Sequence, residues 1–273
     1  MPTKKEKKAK VKTGVQQWAD ESVNICTGCS NACLYCYGRD QMLNRYHKIP
    51  NGLDWENEKV RPADVAKTRT KINGVIMFPT THDITLGNLE ACTSVLKKLL
   101  KAGNQVLIVT KPRRECMKAL FTDLVKWKDQ IEFRFSIGTL MEKVRKFWEP
   151  NAPSLAERFD CLGEAKYCGY KLSISCEPLL SPWSAAFLVH TLDYTFKPDT
   201  IWIGTMNNVV RRCQWILPPD HPKIVELMKW QTPAKMLEIY EKLKDNPKIL
   251  WKDSYQKVID AACEKDKGNA KKI

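Results

Sequence analysis

Residues 26–37 carry the sequence Cys26-Thr-Gly-Cys29-Ser-Asn-Ala-Cys33-Leu-Tyr-Cys36-Tyr37, which holds four of the eleven cysteines of this 273-residue chain. Within it, Cys29, Cys33 and Cys36 form a Cys-x3-Cys-x2-Cys pattern. Cysteine thiolates are the usual ligands of iron–sulfur clusters. Three thiolates on one short loop bind three irons of a [4Fe–4S] cluster and leave the fourth iron open. S-adenosylmethionine (SAM) chelates such an iron through its amine and carboxylate, so the pattern predicts both cofactors.

A four-thiolate zinc site is the alternative for the same loop. Cys26 and Cys29 form one Cys-x2-Cys pair, and Cys33 and Cys36 form a second. Zinc sites usually place a longer loop between two such pairs, whereas only three residues separate these. The spacing favours the cluster, and Cys26 is interpreted as a packed residue at the end of a strand.

Short apolar runs alternate with helical segments along the chain. The predicted strands suit a parallel sheet that is buried on both faces: Val23–Cys26, Gly74–Pro79, Gln105–Thr110, Ile131–Ile137, Lys171–Cys176 and Thr200–Gly204. The predicted helices between them are Asn88–Ala102, Arg114–Trp127, Ser154–Tyr167 and Ser184–Leu192, with Gly103 and Gly169 ending two of them. Repeated strand–helix units predict an α/β fold. Six units are too few to close an eight-stranded barrel, so the pattern is consistent with both a partial barrel and a doubly wound sheet.

The composition is that of a basic globular chain, with 43% hydrophobic residues, 28% charged residues and a net charge of +14. Residues 1–12 carry +5 and residues 264–273 carry +2, which leaves +7 on the body. A basic surface attracts polyanions, although a lysine-rich end is often only a solvated tail. We predict a disordered basic tail over residues 1–15, a domain over 16–206 and a C-terminal extension over 207–273 packed on it. Within the extension, Pro233–Lys244 and Lys252–Lys265 are predicted helices.

No apolar run approaches the roughly 18 residues of a membrane-spanning helix. The lysines at the N-terminus are not followed by the apolar segment of a secretory signal. We therefore predict a cytoplasmic protein without a membrane partner, in a compartment that keeps thiols reduced.

The segment Gly28–Tyr37 resembles the cluster loop of the radical SAM superfamily, and within it that of the spore photoproduct lyase-like group. Glu149-Pro150-Asn151-Ala152-Pro153 resembles the Glu-Pro-x-Ala-Pro segment of this group. Glu177-Pro178-Leu179-Leu180 resembles a segment of phage-associated radical SAM proteins. The resemblance extends over about residues 20–206 and implies a partial (βα)6 TIM-type barrel with the cluster loop after the first strand.

The same resemblance implies which residues contact SAM. Thr80-Thr81-His82-Asp83 resembles the stretch that meets the methionyl amine, although the usual Gly-Gly-Glu-type version is absent. In Thr110-Lys111-Pro112, Lys111 corresponds to the lysine that meets the SAM carboxylate, and Ser136 to a serine that contacts the ribose. Tyr35 of the loop is also a predicted cofactor contact.

These positions have structural alternatives. Thr80, Thr81 and Asp83 can cap the helix near Asn88, and Lys111 can be a solvated loop residue. His82 is better explained as a hydrogen-bonded pocket residue than as an iron ligand. Because these residues follow successive strands, where barrels carry their active sites, their clustering favours function.

Cys176, Glu177 and Cys213 are the candidates for catalysis. Glu177 follows a strand, and Cys176 and Cys213 lie near the expected mouth of the site. Spore photoproduct lyases use a cysteine as hydrogen-atom donor, but no local motif identifies one here. Cys161, Cys168, Cys176 and Cys213 are the alternative ligands of a second cluster, whereas buried thiols without a function are the more common case.

The resemblance implies an enzyme that cleaves SAM reductively to a 5′-deoxyadenosyl radical and abstracts hydrogen from a substrate. The basic body and the pairing of Arg211 and Arg212 with Trp215 point to a nucleotide or nucleic acid that is modified or repaired. Such an enzyme needs an electron donor such as flavodoxin or ferredoxin. The alternatives are a radical SAM enzyme acting on a small metabolite or peptide, and a non-catalytic nucleic-acid-binding protein with a structural zinc or a redox-sensing cluster.

Overall fold

The computed structural model describes residues 12–49 and 51–270, with side chains described up to residue 264. Its strands are β1 Glu21–Ser22, β2 Cys26–Thr27, β3 Lys59–Val60, β4 Val75–Phe78, β5 Gln105–Thr110, β6 Ile131–Ser136, β7 Lys171–Cys176, β8 Thr200–Ile203 and β9 Ile249–Trp251. Seven of them form one curled parallel sheet in the order β1-β4-β5-β6-β7-β8-β9. The small strands β2 and β3 form a separate antiparallel pair. The predicted partial barrel is thus confirmed, and the doubly wound alternative is not.

The helices of the described residues are α1 Tyr37–Asp40, α2 Pro62–Ala66, α3 Leu89–Lys101, α4 Arg114–Leu124, α5 Glu142–Trp148, α6 Leu155–Tyr167, α7 Ala185–Phe196, α8 Val209–Cys213, α9 Pro222–Trp230, α10 Pro233–Leu243 and α11 Asp253–Ala270. Helices α3 and α6 end where Gly103 and Gly169 take positive φ angles of 82° and 74°, a conformation that glycine adopts without steric cost. None of the described helices combines the length and apolarity needed to cross a membrane.

Side chains alternate between the two faces of the sheet because successive residues of a strand point in opposite directions. Phe133 and Phe135 of β6 are buried in the core between the sheet and the helices, and so is Ile174 of β7. Residues of the other parity, such as Ser175, face a cavity inside the half-barrel. The apolar core therefore lies outside the sheet, and the concave side is left for polar groups.

Two strands differ from the prediction. The first strand of the main sheet is β1, not Val23–Cys26; Val23 makes one further hydrogen bond to β4, and Cys26 belongs to the β2–β3 pair. The C-terminal extension supplies β9, which pairs in parallel with β8 as a seventh strand. This strand is only three residues long and follows a proline-rich stretch, so its periodicity is too short to be recognised.

A turn before β1 closes the open seam of the half-barrel, between the edge strands β1 and β9. The carbonyl of Gly14 accepts a hydrogen bond from Lys252 Nζ at 2.7 Å, and the side chain of Gln17 accepts one from the backbone of Asp253 at 3.0 Å. The predicted disordered tail therefore does not extend to residue 15, and its residues 1–11 lie outside the described residues. The division into a barrel and an extension remains a prediction.

Candidate active site

A cavity of about 380 Å³ opens at the C-terminal ends of the strands, the edge that carries the active site in (βα) barrels. The three motif cysteines and Glu177 line this cavity. It is also lined by all the predicted cofactor contacts, namely Tyr35, Thr80, Thr81, His82, Asp83, Lys111 and Ser136. Motifs that are far apart in the sequence thus meet in one place.

The backbone of the cysteine loop, residues 26–37, and of the adjoining Gly38 packs closely against the segments around residues 55–57 and 81. Gly28 has a φ of +91°, and a Cβ atom there would lie 2.7 Å from the carbonyl oxygen of Asn57. A Cβ on Gly38 would lie 2.6 Å from the carbonyl oxygen of Thr81. The backbone N–H of Cys29 donates to the carbonyl of Trp55 at 2.8 Å. These contacts require glycine at both positions and fix the loop over the cavity.

The three thiols are well shielded, since Cys29 and Cys33 are buried and Cys36 is half-buried. Burial raises the pKa of Cys33 to about 12 and also raises that of Cys29. Among the described residues, no group of three or more His, Cys, Asp or Glu side chains stands ready to hold a metal ion. Cluster thiolates bind different irons, and iron binding deprotonates a thiol outright. Three thiols on one loop facing one cavity therefore fit the donor set of a [4Fe–4S] cluster.

Asp83 and Lys111 form a buried ion pair beside the cysteines. Asp83 accepts hydrogen bonds from Asn31 Nδ2 at 2.9 Å, from Thr110 Oγ1 at 2.9 Å and from the backbone N–H of Lys111 at 2.7 Å. Lys111 Nζ lies 3.4 Å from Asp83 Oδ2. Burial opposes both charges, but the pairing lowers the pKa of Asp83 and raises that of Lys111. We call Cys29, Cys33, Cys36, Asp83 and Lys111 the cysteine end of the cavity.

Asn24 holds the segment that follows β4. Its Oδ1 accepts from the backbone N–H groups of Thr80 and Thr81 at 2.7 and 2.9 Å, and its Nδ2 donates to Thr80 Oγ1. The hydroxyl of Thr81 has no hydrogen-bond partner within the described residues. A buried polar atom without a partner on a cavity wall is available to a polar ligand.

Both ring nitrogens of His82 contact backbone groups. Its Nε2 accepts from the N–H of Ile25 at 3.2 Å, and its Nδ1 lies 3.0 Å from the carbonyl of Asp83. Burial lowers the pKa of His82, so the ring is held neutral. This geometry matches a hydrogen-bonded pocket residue, and a contact between His82 and a cofactor remains a prediction.

A buried chain of contacts links Tyr35 to the end of β6. The Tyr35 hydroxyl donates to Glu149 Oε1, and Glu149 Oε2 accepts from Arg158 at 2.5 Å. Arg158 also donates to the carbonyl of Ser136 at 3.0 Å. Glu149 of the Glu-Pro-x-Ala-Pro segment thus positions the cysteine loop against the sheet from outside the cavity.

A second part of the cavity, formed by Trp18, Glu177 and Lys252, is here named the Glu177 end. Lys252 Nζ is 3.7 Å from Glu177 Oε2 and 4.1 Å from the centre of the Trp18 ring. The indole N–H of Trp18 and the hydroxyl of Ser175, both on the cavity lining, have no partner within the described residues. The Glu177 end therefore also offers a donor without a protein partner, the indole N–H of Trp18.

The structure does not bring Cys176 or Cys213 to the cavity. Cys176 lies on the helix-facing side of β7, between Ser175 and Glu177 on the cavity side, and burial raises its pKa to about 12. Cys213 is buried in a smaller core behind the cysteine loop. The position of Cys176 is a correction to the prediction, because strand alternation points it away from the mouth. Cys161 and Cys168 pack in the main core with Cys176, so these four cysteines are not assembled as a second cluster.

The two paired arginines have different environments. Arg211 forms a 2.6 Å ion pair with Asp40, whereas Arg212 lines the cavity over the Tyr37 ring. The Nε of Arg212 has no partner within the described residues. Trp215 packs on Gly52, where a Cβ would lie 2.7 Å from the Cβ of Trp215. Of these two arginines, Arg212 therefore lies on the cavity and Arg211 does not.

Sequence reasoning missed Trp18, Asn24 and Lys252. Trp18 and Lys252 lie in the segments interpreted as the start of the domain and as its extension, and no motif surrounds either of them. Lys252 directly follows β9, so recognition of that strand would have placed it at a C-terminal strand end.

No protein-family model matches the chain. A relative is the uncharacterised protein ORF301 of Acidianus two-tailed virus, which is 30% identical over 177 residues. This match covers 60% of the chain and 56% of the viral protein, so the chain spans little more than half of that relative. A viral relative agrees with the predicted resemblance to phage-associated proteins.

Among solved structures, spore photoproduct lyase complexed with dinucleoside spore photoproduct has a TM-score of 0.52 to this protein at 17% identity. The match covers 84% of this chain and 75% of the lyase chain. A mutant of the same lyase gives the same score and coverage. At this identity the likeness establishes the fold, and it confirms the predicted resemblance to spore photoproduct lyase at that level.

Proposed function

We propose that this protein is a radical SAM enzyme in which Cys29, Cys33 and Cys36 hold a [4Fe–4S] cluster and Lys111 binds SAM. The convergence of three thiols and a buried Asp83–Lys111 pair on one cavity carries the proposal. The half-barrel and its likeness in fold to a radical SAM lyase support it.

Held by Cys29, Cys33 and Cys36, a [4Fe–4S] cluster would supply the one-electron reduction that cleaves SAM to methionine and a 5′-deoxyadenosyl radical, which would take a hydrogen atom from the substrate. The protein's own groups bind and orient. Asp83 keeps Lys111 protonated, so its ammonium is available for a charge-assisted hydrogen bond to the SAM carboxylate. The free hydroxyl of Thr81 and the end of β6 at Ser136 offer further polar contacts. The shielded cavity limits access of water to reactive species.

We further propose that the substrate is a nucleotide within a nucleic acid. Arg212 provides a half-buried guanidinium without an ion-pair partner within the described residues, on the same cavity as the indole of Trp18. Arginine and aromatic side chains together are typical of sites that bind phosphate and stack a base. The net charge of +14 favours a polyanionic partner. The lyase that shares this fold is complexed with dinucleoside spore photoproduct in its solved structure.

The electron donor and the cytoplasmic location remain predictions. The cluster needs one electron for each SAM cleaved, and a flavodoxin or ferredoxin is the class of protein that supplies it.

The test is anaerobic reconstitution followed by two measurements. Iron and sulfide analysis should give about four of each per chain, as a [4Fe–4S] cluster requires. Reduction in the presence of SAM should then release 5′-deoxyadenosine and methionine. Deuterium-labelled oligonucleotides, single-stranded and duplex, should transfer label into 5′-deoxyadenosine, and labelled small metabolites or peptides should not.

Zinc in place of iron, or a cluster that leaves SAM intact, would overturn the enzymatic proposal. SAM cleavage with label transferred only from a small molecule or peptide would retain the enzyme and reject the nucleic-acid substrate.

A further inference from the structure

The carboxylate of Glu177 lies on the cavity wall without a close hydrogen bond from the protein groups that the structure describes. Its side chain is 22% exposed and accepts no hydrogen bond from the described residues. Lys252 Nζ stands at 3.7 Å, beyond the 2.7–2.9 Å typical of a charge-assisted hydrogen bond. Both carboxylate oxygens are therefore free to accept from a ligand in the cavity.

Other contacts hold Lys252 in place, and its Nζ does not come within close hydrogen-bonding distance of the Glu177 carboxylate. Its Nζ donates to the carbonyl of Gly14 at 2.7 Å and lies over the Trp18 ring. Gly204 makes room for both side chains, because a Cβ there would lie 2.8 Å from Glu177 Cγ and 3.1 Å from Lys252 Cγ. Carboxylate and ammonium thus stand side by side, and the carboxylate has hydrogen-bonding capacity left.

The electrostatics agree with this geometry. Burial raises the pKa of Glu177 although Lys252 opposes the shift, and burial lowers the pKa of Lys252 although Glu177 opposes that. Both groups are thus shifted toward their neutral forms, as expected when a pair is desolvated without adequate hydrogen bonds. A ligand that donates to the carboxylate and accepts from the ammonium would favour the charged forms of both.

We propose that the Glu177 end recognises a guanine base, an inference that rests on the proposed nucleic-acid substrate. The Watson–Crick edge of guanine carries two adjacent donors, N1–H and N2–H, which match the two free oxygens of Glu177. Its neighbouring acceptor O6 matches the ammonium of Lys252. Adenine and cytosine present one amino group beside an acceptor nitrogen, and thymine and uracil flank one N–H with two carbonyl oxygens that a carboxylate repels. A base taken out of the stack is read by hydrogen bonds to this edge and by stacking.

The test measures binding of GMP, IMP, AMP and dTMP to the reconstituted full-length protein with SAM present, by isothermal titration calorimetry. IMP differs from GMP only in lacking the 2-amino group, so GMP should bind about 10-fold more tightly, equivalent to ~1.4 kcal/mol. Glu177→Gln should remove the preference for GMP over IMP. Gly204→Ala, which pushes a methyl group against Glu177, should reduce it. Lys248→Met, a lysine change just before β9, should leave it intact.

Equal affinities for GMP and IMP, undetectable binding of all four nucleotides, or a preference that survives Glu177→Gln would each overturn the inference. Thermal melts of each variant establish that it is folded. Release of 5′-deoxyadenosine from the same preparations separates the two proposals. SAM cleavage without guanine preference rejects only the inference, whereas a Glu177-dependent preference without SAM cleavage rejects only the radical SAM function.

Discussion

The two ends of the cavity each pair a carboxylate with a lysine, yet the two carboxylates differ in the number of hydrogen bonds that they accept. At the cysteine end, Asp83 accepts three close hydrogen bonds in addition to its contact with Lys111. At the Glu177 end, the carboxylate accepts none from the described residues, and its lysine stands at 3.7 Å. The carboxylate of Asp83 is satisfied before any ligand binds, whereas the carboxylate of Glu177 leaves hydrogen-bonding capacity unused. The first suits a cofactor that always binds in one pose, and the second suits a substrate that must be selected.

The largest expected effect is the loss of the cysteine end itself. Cys29→Ala, Cys33→Ala and Cys36→Ala should each abolish the visible absorbance of the reconstituted cluster and SAM cleavage, because each removes a thiolate ligand. Cys26→Ala is the matched control. Cys26 is buried in the β2–β3 pair and does not line the cavity, so this variant should keep both. Equal loss in Cys26→Ala would contradict the assignment of ligands.

The second prediction compares how neutralising each carboxylate changes the free energy of unfolding. Asp83→Asn leaves the shielded Lys111 without its counter-charge and should lower the free energy of unfolding by about 3 kcal/mol. Glu177→Gln should lower it less, because Lys252 loses a counter-charge that stands at 3.7 Å but keeps its hydrogen bond to the carbonyl of Gly14. A carboxyl whose pKa is raised on folding binds its proton more tightly when folded, so the folded state loses stability as pH rises through that pKa. At pH 7, replacing Glu177 removes this penalty.

Urea denaturation of the cluster-free protein, followed by circular dichroism at pH 7, measures both variants. Destabilisation by Glu177→Gln as large as that by Asp83→Asn would show that the two pairs are equally satisfied and would remove the contrast.

A third prediction concerns cofactor affinity. Lys111→Ala should retain its cluster but bind SAM about 10-fold or more weakly, a loss of ~1.4 kcal/mol or greater, because it removes a charge-assisted contact. Lys252→Met should change SAM affinity little, since Lys252 belongs to the Glu177 end. Equilibrium dialysis with labelled SAM distinguishes them, and unchanged affinity in Lys111→Ala would show that this lysine does not bind the cofactor.

The smallest expected effect separates the two arginines. Arg212 faces the cavity without an ion-pair partner in the described residues, whereas Arg211 is already paired with Asp40. Arg212→Ala should therefore weaken oligonucleotide binding and reduce the slope of log affinity against log salt by roughly 1. Arg211→Ala should change the slope less. Fluorescence anisotropy across a salt series measures both, and a larger effect of Arg211→Ala would reverse the assignment.

The cysteine end could be predicted from the sequence because local motifs carry it. The spacing of Cys29, Cys33 and Cys36 predicted the cluster loop, and the resemblance of the segments around Asp83 and Lys111 to those of a known family, with their positions after successive strands, predicted the rest. Cys176 shows the limit of reasoning from proximity in sequence. It is adjacent to Glu177, but the two-residue period of β7 turns it to the helix side, an outcome that alternation alone would have indicated.

The Glu177 end could not be predicted in the same way. Its residues come from positions 18, 177 and 252, and they meet only because a short turn before β1 and a three-residue strand after α10 close the same seam. Neither element has enough residues to show a period. The contacts that define this end are therefore tertiary.

The seam also has a consequence for the order in which the protein becomes functional during synthesis. Every residue of the cysteine end lies between positions 29 and 111, whereas the hydrogen bond from Lys252 to Gly14 joins residues 238 positions apart. Chains emerge from the ribosome N-terminus first, at about 5–20 residues per second, and distant contacts form late. The groups proposed to bind the cofactors can therefore come together in a nascent chain, but the end proposed to select the substrate exists only once β9 has been made. A prematurely ended chain would keep the residues proposed for radical generation without those proposed to choose its target.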